Sequence, residues 1–127
     1  MDFKGAETYL LSRPESELDF PFGPDTYVFK VKGKMFATLG ERLGNAQMNL
    51  KCDPAQAMEL RDIFEAVIPG YHMNKKHWNT VILDQSIPPS EIERMIDHSY
   101  GLVVKSLKKS ERVALEMAYS PEEIYRA

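Results

Sequence analysis

A chain of 127 residues with 43% apolar and 28% charged side chains has the make-up of an ordinary globular domain, which excludes a disordered, fibrous or low-complexity polymer. Its formal charge of −3 excludes a wholly basic nucleic-acid binder, and its single cysteine excludes an intramolecular disulfide. The acid-bearing start, MDFKGAETYLLSRPESE, has no apolar segment of signal-peptide length, and no apolar run approaches the roughly 18 residues a membrane span needs; a single cytoplasmic domain without membrane attachment is expected.

In chain order, Phe3, Ala6 and Leu10 recur at helical spacing and Pro14 follows Arg13, predicting a helix over 3–12. The Pro/Gly/Asp cluster DFPFGPD, 19–25, reads as a structured loop. TYVFKVKGKMFATLGE has strand composition interrupted by Gly33 between two lysines, the pattern of a hairpin turning near 32–34, and NAQMNLKC, 45–52, alternates as a third strand. Because side chains alternate sides along a strand, Tyr27, Phe29 and Val31, then Met35, Ala37 and Leu39, then Met48, Leu50 and Cys52, are expected on the core face.

Asp53 and Pro54 next open a helix with a carboxylate cap, a proline where no N–H is missed, and Gln56 three residues past the cap. Leu60, Phe64 and Val67 are its expected buried stripe before Pro69 and Gly70 end it. A strand follows over 77–83, with Trp78 and Ile82 on one side and Val81 and Leu83 on the other. Ser90 and Glu93 then suggest a capping box for a long amphipathic helix to about 108, marked by Ile92, Met95, Ile96, Val103 and Leu107. A short helix from Ser110 and a last turn capped by Ser120, Pro121 and Glu123 form a helical extension over 109–127. This order predicts an α+β two-layer sandwich: an antiparallel sheet of about five strands, helices on one face, and the other face open to water with Lys30, Lys32, Thr38, Gln47, Asn49 and Lys51 on it.

Candidate chemistry is sparse. His72 and His77 are five apart and do not share a face in a strand or the i, i+4 register of a helix, so no metal site is expected. Cys52 precedes a helix N-terminus, which can activate a thiol, yet lies on the core face, where cysteine serves as a small hydrophobe. A phosphate loop ending in Gly33–Lys34 would need Gly at 28 and Ser or Thr at 35, where Val and Met stand. Glu91, Glu93 and Asp97 suit the first turns of a helix. No catalytic residue or cofactor is expected.

The charges, by contrast, are unevenly spread. Residues 26–52, 70–89 and 105–112 carry a surplus of Lys and Arg on an otherwise acidic body, and such asymmetry can create a local positive field. Lys30, Lys32, Lys34 and Lys51 on the hairpin and its neighbour, Lys75 and Lys76 in the loop, and Trp78 as a stacking plane make a candidate nucleic-acid surface. The competing reading is that strand lysines deter edge aggregation, that Lys105, Lys108 and Lys109 complement a helix C-terminus, and that Trp78 belongs to the core or its rim.

Four ordered blocks, FPFGPDTYVFKVKGKMFA (20–37), MNLKCDPAQAMELR (48–61), PGYHMNKKHWNTVILD (69–84) and IDHSYGLVVKSL (96–107), together resemble the MmcQ/YjbR family of small bacterial proteins over residues 3–108. The resemblance implies a CyaY-like or secretion-chaperone-like sandwich and a non-enzymatic, DNA-binding protein with a double-wing mode, in which β-hairpins approach the duplex. Carried over by position, the wing tip is Lys32, Gly33 and Lys34, and the signature loop contributes Asn74, Lys75, His77 and Trp78. The expectation is backbone contact with double-stranded DNA by a monomer or weak dimer, without sequence readout, since these stretches lack an arginine for bidentate guanine contacts. The alternatives are a chaperone-like module that meets a protein partner on the open sheet face, and a small-ligand site near His72, Asn74 and His77.

Overall fold

The computed structural model describes residues 1–126. Helix α1 (Phe3–Leu11) is capped by Asp2, whose carboxylate accepts the Gly5 N–H at 2.8 Å. After Pro14 the chain forms β1 (Ser16–Asp19), a short acidic edge strand that no sequence pattern announced. Strands β2 (Tyr27–Val31), β3 (Lys34–Arg42) and β4 (Asn45–Lys51) follow as a meander. Both connections are two-residue turns with left-handed backbone, Lys32–Gly33 (φ 50° and 81°) and Leu43–Gly44 (φ 54° and 84°). That geometry matches the twist of the flanking strands.

Asp53 caps α2 (Pro54–Ile63) as its sequence dictates, accepting the Gln56 N–H. The helix is shorter than expected. It stops at Ile63, Phe64 is already extended, and Val67 opens a separate strand, β5 (Val67–Pro69), so the apparent stripe of Leu60, Phe64 and Val67 crosses an element boundary. Strand β6 (Trp78–Leu83) leads to α3 (Pro89–Ser106), which starts one residue before the expected cap. Pro89 occupies its first turn, where a fixed φ favours initiation, and Pro88 is the N-cap; Ser90 and Glu93 therefore make no capping box. Helices α4 (Lys109–Ala118) and α5 (Pro121–Ile124) complete the chain, and here the Ser120–Glu123 box is present in both directions.

The six strands form one antiparallel sheet in the order β1-β2-β3-β4-β6-β5. Phe29, Val31, Ala37, Leu39, Met48, Leu50, Val81 and Leu83 face the helices and meet Ala6 and Leu10 of α1 and Ile92, Ile96, Tyr100, Val103 and Val104 of α3, all buried. This is the two-layer sandwich predicted, with six strands rather than five.

One expected core position moves. The pairing of β2 with β3 steps from Phe29↔Ala37 to Lys30↔Met35, so Phe36 is an extra, bulged residue. Phe36 is fully buried and packs edge-on against Tyr100, with ring centroids 5.3 Å apart, while Met35 turns to the other side. The bulge leaves two backbone groups without ladder partners, and the buried Ser99 serves both: its hydroxyl donates to the Phe36 carbonyl at 2.6 Å and accepts the Lys51 N–H at 2.9 Å.

Candidate nucleic-acid interface

The helix-free face of the sheet carries Val28, Lys30, Met35, Thr38, Gln47, Asn49, Lys51, Trp78, Thr80 and Ile82, following the register of the strands, with Val28, Thr38 and Thr80 buried. Thr38, Asn49 and Thr80 are direct cross-strand neighbours. They form a hydrogen-bonded chain: Thr80 Oγ1 donates to Asn49 Oδ1 at 2.5 Å, and Asn49 Nδ2 donates to Thr38 Oγ1 at 3.0 Å. Thr80 Oγ1 also accepts the Tyr71 N–H at 2.8 Å, so this polar row fastens the 70–77 loop to the open face.

The loop is built from its own sequence. Asn74 makes an Asx turn, its Oδ1 accepting the Lys76 N–H at 2.9 Å, while its carbonyl accepts the N–H groups of His77 and Trp78. The His77 carbonyl takes the Cys52 N–H at 2.8 Å, carrying the β4–β6 ladder one residue further. Arg61 reaches over from α2 to the Asn79 side chain and to the carbonyls of Lys75 and Trp78. Gly70 lies so close to the Trp78 backbone that a Cβ there would come within 2.9 Å of both Trp78 Cβ and its carbonyl oxygen. The crowd of polar residues therefore closes the fold first, and leaves a half-buried Trp78 at the edge of the open face beside its register partner Lys51.

From the far end of β4 the Arg42 guanidinium reaches over Tyr71, 4.2 Å from its ring centroid, with the His72 ring 4.2 Å from that of Tyr71 on a left-handed backbone (φ 59°). Neither Arg42 nor Tyr71 stands out in the sequence; only the fold brings residue 42 to residue 71.

A family model described as YjbR matches residues 11–102. The chain belongs to the YjbR family. The matched span runs from the end of α1 into α3 and so contains the whole sheet and the 70–77 loop, with α4 and α5 beyond it. Among YjbR relatives, "Uncharacterized protein YbdF" of Escherichia coli O157:H7 is 39% identical over 107 residues, covering 84% of this chain and 88% of that one. "Uncharacterized protein YjbR" of Escherichia coli K12 is 34% identical, covering 84% and 91%. The crystal structure of Deinococcus radiodurans protein DR2400 superposes with a TM-score of 0.82 at 36% identity, over 90% of this chain and 87% of that chain. A Pseudomonas syringae protein gives 0.71 at 28% identity, over 80% and 98%.

The nine candidate residues of this YjbR chain fall into two groups. The hairpin lysines do not form a common ridge. Lys30 is paired with Asp19 at 2.8 Å and Lys32 with Glu15 at 3.0 Å, while Lys34 points to the helical side and donates to the Ser106 carbonyl at 2.9 Å. Lys30, with the Phe20 N–H, holds the Asp19 carboxyl below its ordinary range, and Glu15 raises the Lys32 ammonium. Lys51, Asn74, Lys75, Lys76, His77 and Trp78 gather instead at the β4–β6 end of the sheet, although Lys75 donates to the Gly70 carbonyl at 3.3 Å. Counting Arg42 and Arg61, five cations border this region, and among the described residues none of them is in an ion pair.

On the opposite side of the sheet, Cys52 and His98 line a small cavity of ≈ 20 Å³ between α2 and α3. Burial pushes the Cys52 thiol up to about 11 and the His98 imidazole down. The thiol is 4% exposed, which decides between the two readings of this residue in favour of core packing.

Proposed function

We propose that this YjbR-family protein acts without catalysis, binding nucleic acid through phosphate contacts made by the β4–β6 end of its open sheet face and the 70–77 loop. The observation that carries the reading is the segregation of charge: Lys30 and Lys32 are paired with carboxylates, whereas Arg42, Lys51, Lys75 and Lys76, around Trp78 and Tyr71, have no carboxylate partner among the described residues. Unpaired cations on an acidic body concentrate the attractive field in one place, and phosphate responds to the local field rather than to net charge. The β2–β3 hairpin is then a secondary contact.

Titration with generic DNA at two salt concentrations is the test. About four phosphate contacts give an affinity loss of roughly 100-fold between about 50 and 200 mM salt. Reversing two charges, K51E with K76E, lowers the log–log slope by about 2 and the affinity by tenfold or more. A flat salt dependence, or no effect of the double variant, refutes the reading. A second reading has one observation of its own: Phe20 and Phe22 in the loop before β2 are 42% and 69% exposed, a surface suited to a protein partner. Association with such a partner survives K51E/K76E and is lost on replacing Phe22.

A further inference from the structure

Resting on the nucleic-acid reading above, we infer that the bound form is an unpaired strand, laid across the open sheet face between Trp78 and the Arg42–Tyr71 pair.

The shape of the charged surface favours this. A duplex is held by cations on projecting elements that enter a groove or follow two backbones. The projecting element here is the β2–β3 hairpin, and the lysines at its tip are engaged within the protein. Lys32 feels Glu15, Glu111 and Glu17 together, and Lys34 is tied to the C-terminus of α3 on the helical side. The unpaired cations instead border a sheet face. Single strands bind such faces by laying bases on aromatic rings while lysine and arginine follow the one backbone.

The side chains are placed for that division of labour. Trp78 sits next to Lys51 at one end of β4, Tyr71 starts close by with its N–H bonded to Thr80 two residues along β6, and Arg42, from the other end of β4, reaches the Tyr71 ring. Beside these rings the face is uncharged, with Gln47, Asn49 and Ile82 partly exposed on it. The buried Thr38 and Thr80 hold Asn49 in place from either side, and the half-buried Gln47 has an amide free of hydrogen bonds to the described residues. Such a floor accepts bases without selecting a sequence, in keeping with stacking as the source of affinity.

Trp78 is the chain's one tryptophan, so its fluorescence reports on this site alone. The experiment titrates the full chain with an oligothymidylate of about 12 nucleotides and with a mixed-sequence duplex of the same length at low salt. The expected result is quenching of Trp78 emission by the single strand and an affinity at least tenfold above that of the duplex. Trp78→Ala and, separately, Tyr71→Ala lower single-strand affinity by about 5- to 100-fold. The quenching measurement needs no variant, so it stands even if Trp78→Ala fails to fold. A duplex that binds as tightly as the single strand, or single-strand binding without quenching, overturns the inference and leaves the nucleic-acid reading standing; binding of neither overturns that reading itself.

Discussion

Removing the hydroxyl of Ser99 tests whether the β-bulge is held from outside the sheet. Ser99 is fully buried in α3, yet its two hydrogen bonds go to β3 and β4: it donates to Phe36 and accepts from Lys51, the two groups that the extra residue separates. Ser99→Ala deletes one atom and strands a carbonyl and an N–H together. Each unsatisfied buried group costs about 1–3 kcal/mol, and the better helix propensity of alanine returns only about 0.5 kcal/mol. We expect a net loss of about 1.5–5.5 kcal/mol, read as a drop in Tm of roughly 6–25 °C for a domain of this size. Urea unfolding followed by circular dichroism measures it, with Ser106→Ala as the control. The Ser106 hydroxyl bonds only to the Val103 carbonyl of its own helix, so its loss should stay within about 0.5 kcal/mol. A Ser99→Ala penalty no larger than that of the control would refute the reasoning and mean that the bulge satisfies itself.

Other consequences follow from single positions. Leu43 is 84% exposed at a hairpin tip with φ 54°, a conformation that asparagine tolerates and leucine resists; Leu43→Asn should raise stability by about 0.5–1 kcal/mol in the same urea assay. Gly70→Ala drives a methyl into the Trp78 backbone, and should cost about 1–3 kcal/mol and shift Trp78 emission. The Cys52 thiol, raised from 9.0 to about 11, keeps its proton in the folded chain after the unfolded thiol has lost its own. Its contribution is therefore complete below pH 9 and is lost as the pH rises from about 9 toward 11. Wild type should lose more stability than Cys52→Ala between about pH 8 and pH 10, and a thiol reagent at about pH 8 should modify Cys52 only after unfolding.

The fates of the lysines and of the fold's irregular parts have a common cause. Elements defined by short-range chemistry are legible directly: the Asp53–Pro54–Gln56 cap, the Gly33 turn, and the alternation that puts Phe29, Val31, Met48 and Leu50 on the core face. Ambiguity arises where two patterns share the same letters. Met35 and Phe36 are both apolar, so nothing in the alternation marks the bulge, and Leu60, Phe64 and Val67 keep helical spacing even though α2 has ended and β5 has begun. The edge strand β1 has the larger effect. Its sequence, SELD, is too short and too acidic to declare itself a strand, yet pairing it against β2 brings Asp19 to Lys30, and Glu15 just before it pairs with Lys32. A basic hairpin seen without its edge strand looks like a ridge for phosphate. With that strand in place the same lysines are partnered, and the positive field moves along the sheet toward β4 and β6, where Arg42 and Tyr71, distant in the chain, meet only because the 70–77 loop is anchored through Thr80. Surface residues whose meeting depends on such long-range closure carry no local signature, whereas the Asn74 turn that shapes the loop does.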